Sequence, residues 1–163
     1  LEMVDRLQAA VNARSDPRFI IMARTDSYAI EGLGSAIERA KKYSDAGADM
    51  IFAEALESLD QFHRFTSAVS VPVLSNLTEF GKTPIYTLDE LKDAGVKLAL
   101  YPLSAFRAMS AAAKTVYESI RKDGDQSAVL DIMQTRDELY KVLNYQAKER
   151  KLDMALAEAR IQK

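Results

Sequence analysis

The 163 residues are 48% hydrophobic and 28% charged, an ordinary globular mixture large enough for one domain with a proper core. The net charge of -2 offers no basic field for nucleic acid, and no apolar run approaches the roughly 20 residues that span a bilayer. The chain has no cysteine, which excludes disulfides and thiolate metal sites. No signal peptide opens it, so a cytoplasmic protein is the expectation.

The chain starts in a helix with Val4, Leu7, Ala10 or Val11 and Ala13 at helical spacing, but no cap precedes Leu1-Glu2-Met3, so an upstream continuation is expected. Asp16-Pro17 closes that helix, because proline disfavours helical geometry in the residue before it. Phe19-Ile20-Ile21-Met22-Ala23-Arg24-Thr25-Asp26 follows, an apolar run that suits a strand buried on both faces and that ends in polar residues. A helix is predicted over about 34–46, with Ile37, Ala40 and Tyr43 or Ser44 on one face and Asp45-Ala46-Gly47 as its stop. Asp49-Met50-Ile51-Phe52-Ala53-Glu54 reads as the second strand. Ser58 is a candidate cap for a helix whose inner face is Leu59, Phe62, Phe65 and Val69.

Val71-Pro72-Val73-Leu74-Ser75-Asn76 reads as the third strand and leads into the polar loop 77–84. Thr87-Leu88-Asp89-Glu90 is a capping-box sequence and opens a short helix ending at Ala94-Gly95. Lys97 to Pro102 is the fourth strand, and Ser104 is the expected cap of a helix with Phe106, Met109, Ala113, Val116 and Ile120 on one stripe. Strands then stop after Lys122-Asp123-Gly124-Asp125. Two helical stretches remain, about 127–145 with Leu139, Val142 and Leu143, and about 148–160 with Leu152 and Leu156. Their apolar positions have too few neighbours within the chain, so they are expected to pack on another subunit.

Strands spaced by helices are successive right-handed βα units. The fold class is therefore α/β, read as the second half, the last four strand–helix units, of a (β/α)8 TIM-type barrel plus C-terminal helices. A complete barrel needs about 250 residues. The division places the half-barrel at 1–122 and a helical extension at 123–163. A small open four-stranded α/β sheet is the alternative.

Ligands in such folds sit at the carboxyl ends of strands. Arg24 ends the first strand, where a guanidinium can grip a carboxylate bidentately; its structural alternative is an ion pair with Glu54. Glu54 ends the second strand and can pair with an arginine, contact a metal through water or take a proton. Asn76 and Thr78 offer neutral hydrogen bonds, although both also serve turns well. Arg107 stands three residues past Ser104, where a helix N-terminus already favours an anion; alternatively it is a solvated arginine. Asp26 and Glu79 are further loop acids, and spacing alone makes Arg136 a surface residue. His63 is the single histidine and reads as exposed, while Met22, Met50, Met109 and Met133 read as core filler. Two or three arginines, a glutamate and neutral donors suit a small di- or tricarboxylate.

Phe19 to Asp26, Ala46 to Glu54, Asn76-Leu77-Thr78-Glu79-Phe80-Gly81, Ala99 to Arg107 and Ile132-Met133-Gln134-Thr135-Arg136 together resemble the 2-methylisocitrate lyase branch of the isocitrate lyase/phosphoenolpyruvate mutase superfamily. The likeness runs from end to end of the chain and corresponds to the carboxyl-terminal part of the family's sequence. It implies that Arg24, Glu54, Asn76, Leu77, Thr78, Arg107 and Arg136 are substrate-contacting positions, which raises Arg136 above its reading from spacing. It further implies cleavage of 2-methylisocitrate to pyruvate and succinate in propionate breakdown, and a homotetramer with an exchanged C-terminal helix. The cofactor implied is Mg2+, a hard ion suited to oxygen ligands. The family's Lys-Lys-Cys-Gly-His loop, its magnesium aspartates and its serine-glycine stretch have no counterpart here, so the chain alone is expected to be inactive. Isocitrate lyase, phosphonopyruvate-type enzymes, oxaloacetate decarboxylases and a non-catalytic carboxylate-binding half-barrel are the alternatives.

Overall fold

The structure is a computed structural model in which residues 2–161 are described. Two compact units divide the chain, residues 1–107 and 108–163. No helix of the described residues is long and apolar enough to cross a membrane.

The first unit alternates helix and strand: α1 (Glu2–Ala13), β1 (Met22–Thr25), α2 (Tyr28–Asp45), β2 (Met50–Ala53), α3 (Leu59–Ala68), β3 (Val73–Asn76), α4 (Leu88–Asp93) and β4 (Leu98–Leu100), followed by the start of α5 (Ser104–Asp123). The strands form one parallel sheet in the order β1-β2-β3-β4. Chain order without a reversal is the order of a barrel sector; a doubly wound sheet would reverse at a switch point. Register aligns Ala23, Ile51 and Val73 on one face, and Arg24, Phe52, Leu74 and Leu98 on the other.

The two faces differ. Ala23, Ile51, Ala53, Val73 and Ser75 are buried and belong with Ala36, Ala40, Tyr43, Phe62, Phe65 and Leu91 of the helices. On the opposite face only Leu74 is buried, while Arg24 and Leu98 are exposed and Met22, Met50, Phe52, Asn76 and Leu100 are half-buried. The expectation of a β1 buried on both faces is therefore corrected, since parallel strands need a layer on each side and the described residues supply one. The strand also starts later than expected. Phe19 and Ile20 lie outside it, 68% and 54% exposed. A tight turn that closes from the Phe19 amide to the Asp16 carbonyl holds them there, with the Arg14 guanidinium on the Phe19 carbonyl.

Local chemistry explains the element ends. Ser58 caps α3 by accepting from the Gln61 amide, and Thr87 with Glu90 forms the complete capping box of α4. Helix α2 begins at Tyr28, earlier than expected, but breaks at Gly32, where φ is 81°; the regular part starts near the expected residue 34. Gly47, with φ 98°, turns the chain out of α2. At the foot of the sheet, Asp49 accepts from the Ile21 amide at 2.8 Å and from Arg14 Nη1 at 2.6 Å.

In the second unit, α5 continues to Asp123 and is followed by a 3-10 helix (Ser127–Ile132), α6 (Arg136–Leu143) and α7 (Tyr145–Ile161). The expected helix over 127–145 is thus interrupted, because Thr135 and Glu138 form a second capping box that starts a new helix, and Asn144 closes it in the left-handed region at φ 49°. Tyr140 and Tyr145 stack across that corner, with centroids 4.5 Å apart. The expected buried stripe of α5 is also corrected: Phe106 and Met109 are 61% and 63% exposed, and no residue of this helix is buried. Met109 is accordingly no core filler, whereas His63 is exposed as expected.

Candidate active site at the strand ends

The first three strands bring Arg24, Glu54 and Asn76 to the same end of the sheet, because parallel strands in register finish together, and α5 follows β4 with Arg107 in its first turn. Extra main-chain bonds fix this rim. The Glu54 amide donates to the Thr25 carbonyl at 3.2 Å, and the Leu77 amide donates to the Leu100 carbonyl at 2.8 Å.

Arg24 is the first anchor. Its Nε and Nη2 donate to the two oxygens of Asp26 at 2.9 and 2.7 Å, and Nη2 lies 3.2 Å from Glu54 Oε2. The guanidinium carbon sits 4.8 Å from the centroid of Phe52, its in-register neighbour on β2. The pairing keeps the Asp26 carboxyl below its ordinary range, chiefly through the Arg24 hydrogen bonds. Glu54 Oε2 also accepts from Asn76 Nδ2 at 3.4 Å, and Asn76 Oδ1 accepts from Thr78 Oγ1 at 3.0 Å. Arg24, Glu54, Asn76 and Thr78 thus form one line of polar contacts across three strand ends, an ion pair followed by two hydrogen bonds. Leu77 is buried beneath it.

Arg107 is the second anchor. Its Nη1 donates to the main-chain carbonyl of Glu79 at 2.7 Å, and its guanidinium carbon lies 5.3 Å from the Phe80 ring centroid. The expectation that Ser104 caps α5 is corrected: Ser104 is the first helical residue, and its hydroxyl donates to the Glu79 carboxylate. That bond is the main reason the Glu79 carboxyl lies below the usual range. Glu79 and Asp26 are therefore structural members of the rim that sequence reasoning raised only as loop acids. Arg136 belongs to the second unit, where it opens α6 with an exposed side chain.

Two non-glycine residues of this unit adopt left-handed backbone geometry, Ala55 at φ 60° and Phe80 at φ 63°. Each directly follows an acid of the rim, Glu54 at the end of β2 or Glu79 in the loop after β3. Such geometry costs of order 1–3 kcal/mol and concentrates at functional sites. Chemically, the rim presents two fixed guanidinium groups and a set of neutral donors, an arrangement matched to a small molecule with more than one carboxylate.

No three acids or histidines converge on a common point among the described residues. Asp26 and Glu54, the acids nearest Arg24, are already committed to it.

A sector of a parallel barrel with polar residues gathered at one end of its sheet defines the class as an α/β barrel-type scaffold. The sequence narrows it: residues 1–121 match the phosphoenolpyruvate phosphomutase family, and the chain belongs to that family. It is 59% identical over 152 residues to 2-methylisocitrate lyase of Salmonella typhimurium, covering 93% of this chain and 52% of that protein. Among solved structures, 2,3-dimethylmalate lyase superposes with a TM-score of 0.81 at 29% identity, covering 93% of this chain and 54% of the other. Phosphonopyruvate hydrolase in complex with oxalate and Mg2+ superposes with a TM-score of 0.74 at 27% identity, covering 99% and 56%. The chain spans about half the length of the curated relatives it matches.

Proposed function

We propose that this chain supplies the carboxyl-terminal half of the active site of a carbon–carbon lyase that cleaves 2-methylisocitrate to pyruvate and succinate. The observation that carries the reading is the pair of anchored arginines, Arg24 at the end of β1 held by Asp26 and Glu54, and Arg107 in the first turn of α5 held by the Glu79 carbonyl. A substrate with three carboxylates needs fixed cations at separate points, and arginine stays charged at every relevant pH.

In this reading Arg24 and Arg107 bind substrate carboxylates, and Arg136 adds a third cation. Asn76 and Thr78 hydrogen-bond carboxylate oxygens, and Glu54 keeps Arg24 and Asn76 aimed. As a base takes the proton of the substrate hydroxyl, that oxygen becomes the keto oxygen of pyruvate and the carbon–carbon bond breaks. The electron pair passes to the succinate half, where positive charge beside its carboxylate lowers the energy of the developing enediolate. A proton donor outside this chain completes succinate. Magnesium use is likewise assigned to residues outside this chain, and the magnesium-bound relative supports its use in the family. The exposed Val142 of α6 and Leu152 of α7 support packing of these helices on a second copy, in a homo-oligomer of the tetrameric kind; a monomer by light scattering of the complete enzyme overturns that part.

The test fuses this chain behind the amino-terminal half of the Salmonella enzyme and offers 2-methylisocitrate and isocitrate. Cleavage of 2-methylisocitrate in preference to isocitrate supports the proposal. A folded fusion that cleaves neither overturns it. The chain by itself is expected to show no turnover, and measurable turnover would show that it is complete without a partner half.

A further inference from the structure

The anchor of Arg107 is built differently from that of Arg24. Among the described residues no carboxylate forms an ion pair with its guanidinium, which donates instead to a main-chain carbonyl, that of Glu79, at 2.7 Å. The direction of that carbonyl depends on the turn Thr78–Gly81, which closes from the Gly81 amide to the Thr78 carbonyl at 3.1 Å. Phe80, third in that turn, has φ 63° and is 98% exposed. No burial of its ring repays the strained backbone, and the contact it does make is with the Arg107 guanidinium.

The Glu79 side chain completes the arrangement. One carboxylate oxygen accepts from Ser104, three residues before Arg107 on α5, while the other is buried with no hydrogen-bond partner. An unpaired buried carboxylate oxygen is a cost that a purely structural link would avoid. Glu79 therefore grips the segment that carries Arg107 twice, through its side chain at Ser104 and through its carbonyl at the guanidinium.

We infer that Glu79 is a positioning residue for Arg107: it fixes the first turn of α5 against the loop after β3, and so sets where the guanidinium meets a substrate carboxylate. This rests on the reading of Arg107 as a substrate cation. Phe80 places its ring beneath the guanidinium, 5.3 Å from ring centroid to guanidinium carbon. With Glu79 in place Arg107 remains aimed between turnovers, so the substrate does not bear the entropy of ordering it.

The experiment uses the fusion enzyme described above. Glu79→Ala is expected to raise KM for 2-methylisocitrate about tenfold with kcat within about twofold, the signature of lost uniform binding. Glu79→Gln, which keeps an oxygen for Ser104, is expected to restore KM to within about twofold of the parent. On an Arg107→Ala background, Glu79→Ala is expected to add nothing, because the two act as one unit. Full additivity, or an unchanged KM, overturns the inference. Where Glu79→Ala does not fold, Ser104→Ala cuts the same bond and takes its place.

Crystal structures of parent and variant separate the two readings. A parent that folds without turnover overturns the proposed activity. Arg107 still bonded to carbonyl 79 in the variant overturns the positioning role, whatever the activity.

Discussion

Arg24 lies along both oxygens of Asp26 but touches Glu54 with a single nitrogen. The tighter contact is with the more exposed acid, since Asp26 is 61% exposed and Glu54 23%. Geometry and energetic weight therefore point in opposite directions. An exposed pair is worth about 0–1 kcal/mol even when well aligned, whereas removing a half-buried partner leaves other groups unsatisfied. Asp26→Ala is expected to raise KM for substrate by about two- to fivefold. Glu54→Ala, which leaves Asn76 Nδ2 without its acceptor and takes a half-buried counter-charge from Arg24, is expected to cost at least about tenfold. Steady-state kinetics of the two variants check the order, and a larger loss at Asp26 contradicts it.

Asp49 ties α1 to the foot of the sheet, and its carboxyl lies below the ordinary range because the Ile21 amide, and then the Arg14 charge, favour the carboxylate. A depressed folded-state value means that the stabilisation is present above the unfolded value, about 3.9, and is lost as pH falls through the folded one. The stability difference between the parent and Asp49→Asn is therefore expected to be largest near neutrality and to shrink below about pH 4. Urea unfolding from pH 3 to 7 measures it.

Gly95 closes α4 with φ 84°, and an added Cβ would stand 2.5 Å from Thr66 Oγ1. That hydroxyl cannot swing away freely, because it donates to the Ala94 carbonyl at 2.7 Å. Gly95→Ala combines a left-handed backbone penalty with the collision and is expected to cost about 2–3 kcal/mol. Thr66→Ser in the same protein leaves the hydroxyl in place and is expected to rescue little. Thermal unfolding of the single and double variants reports both.

Ser75 is fully buried on β3, and among the described residues its hydroxyl has no hydrogen-bond partner. Replacing an unpaired buried hydroxyl by a methyl hydrogen removes a desolvation cost. Ser75→Ala is expected to leave stability unchanged or raise it by up to about 1 kcal/mol. A loss of more than that would reveal a partner for the hydroxyl, such as a buried water.

Much of this architecture is legible in the residues. Apolar runs ending in Arg24, Glu54 and Asn76 marked three strand ends, because a parallel sheet buries its strands and releases polar side chains only where they stop. The capping sequence at Thr87 was equally readable, since a box is a local bond pattern. The same signal at Thr135 and Glu138 was present but passed unread inside a longer helical periodicity. What periodicity could not supply was the identity of the covering layer. The stripe of α5 has the spacing of a buried face, yet spacing reports only that a side chain is suited to burial. Phe19 and Ile20 were misjudged for a related reason: a strand begins where a neighbour's backbone pairs with it, and pairing is non-local. The roles of Asp26 and Glu79 were hidden because each depends on a partner's exact position, one on a guanidinium two residues away and the other on a helix start 25 residues later.

The line of polar contacts from Arg24 through Glu54 and Asn76 to Thr78 joins residues from three successive βα units, and the Glu79–Ser104–Arg107 cluster joins the third to the fourth. Barrels of this kind are often pictured as units that recombination can exchange freely. Here a crossover placed between any two of these units would separate members of one bonded set and reunite them with strangers. Hybrids that inherit residues 24–107 as a block should therefore survive shuffling among relatives far more often than hybrids cut within it.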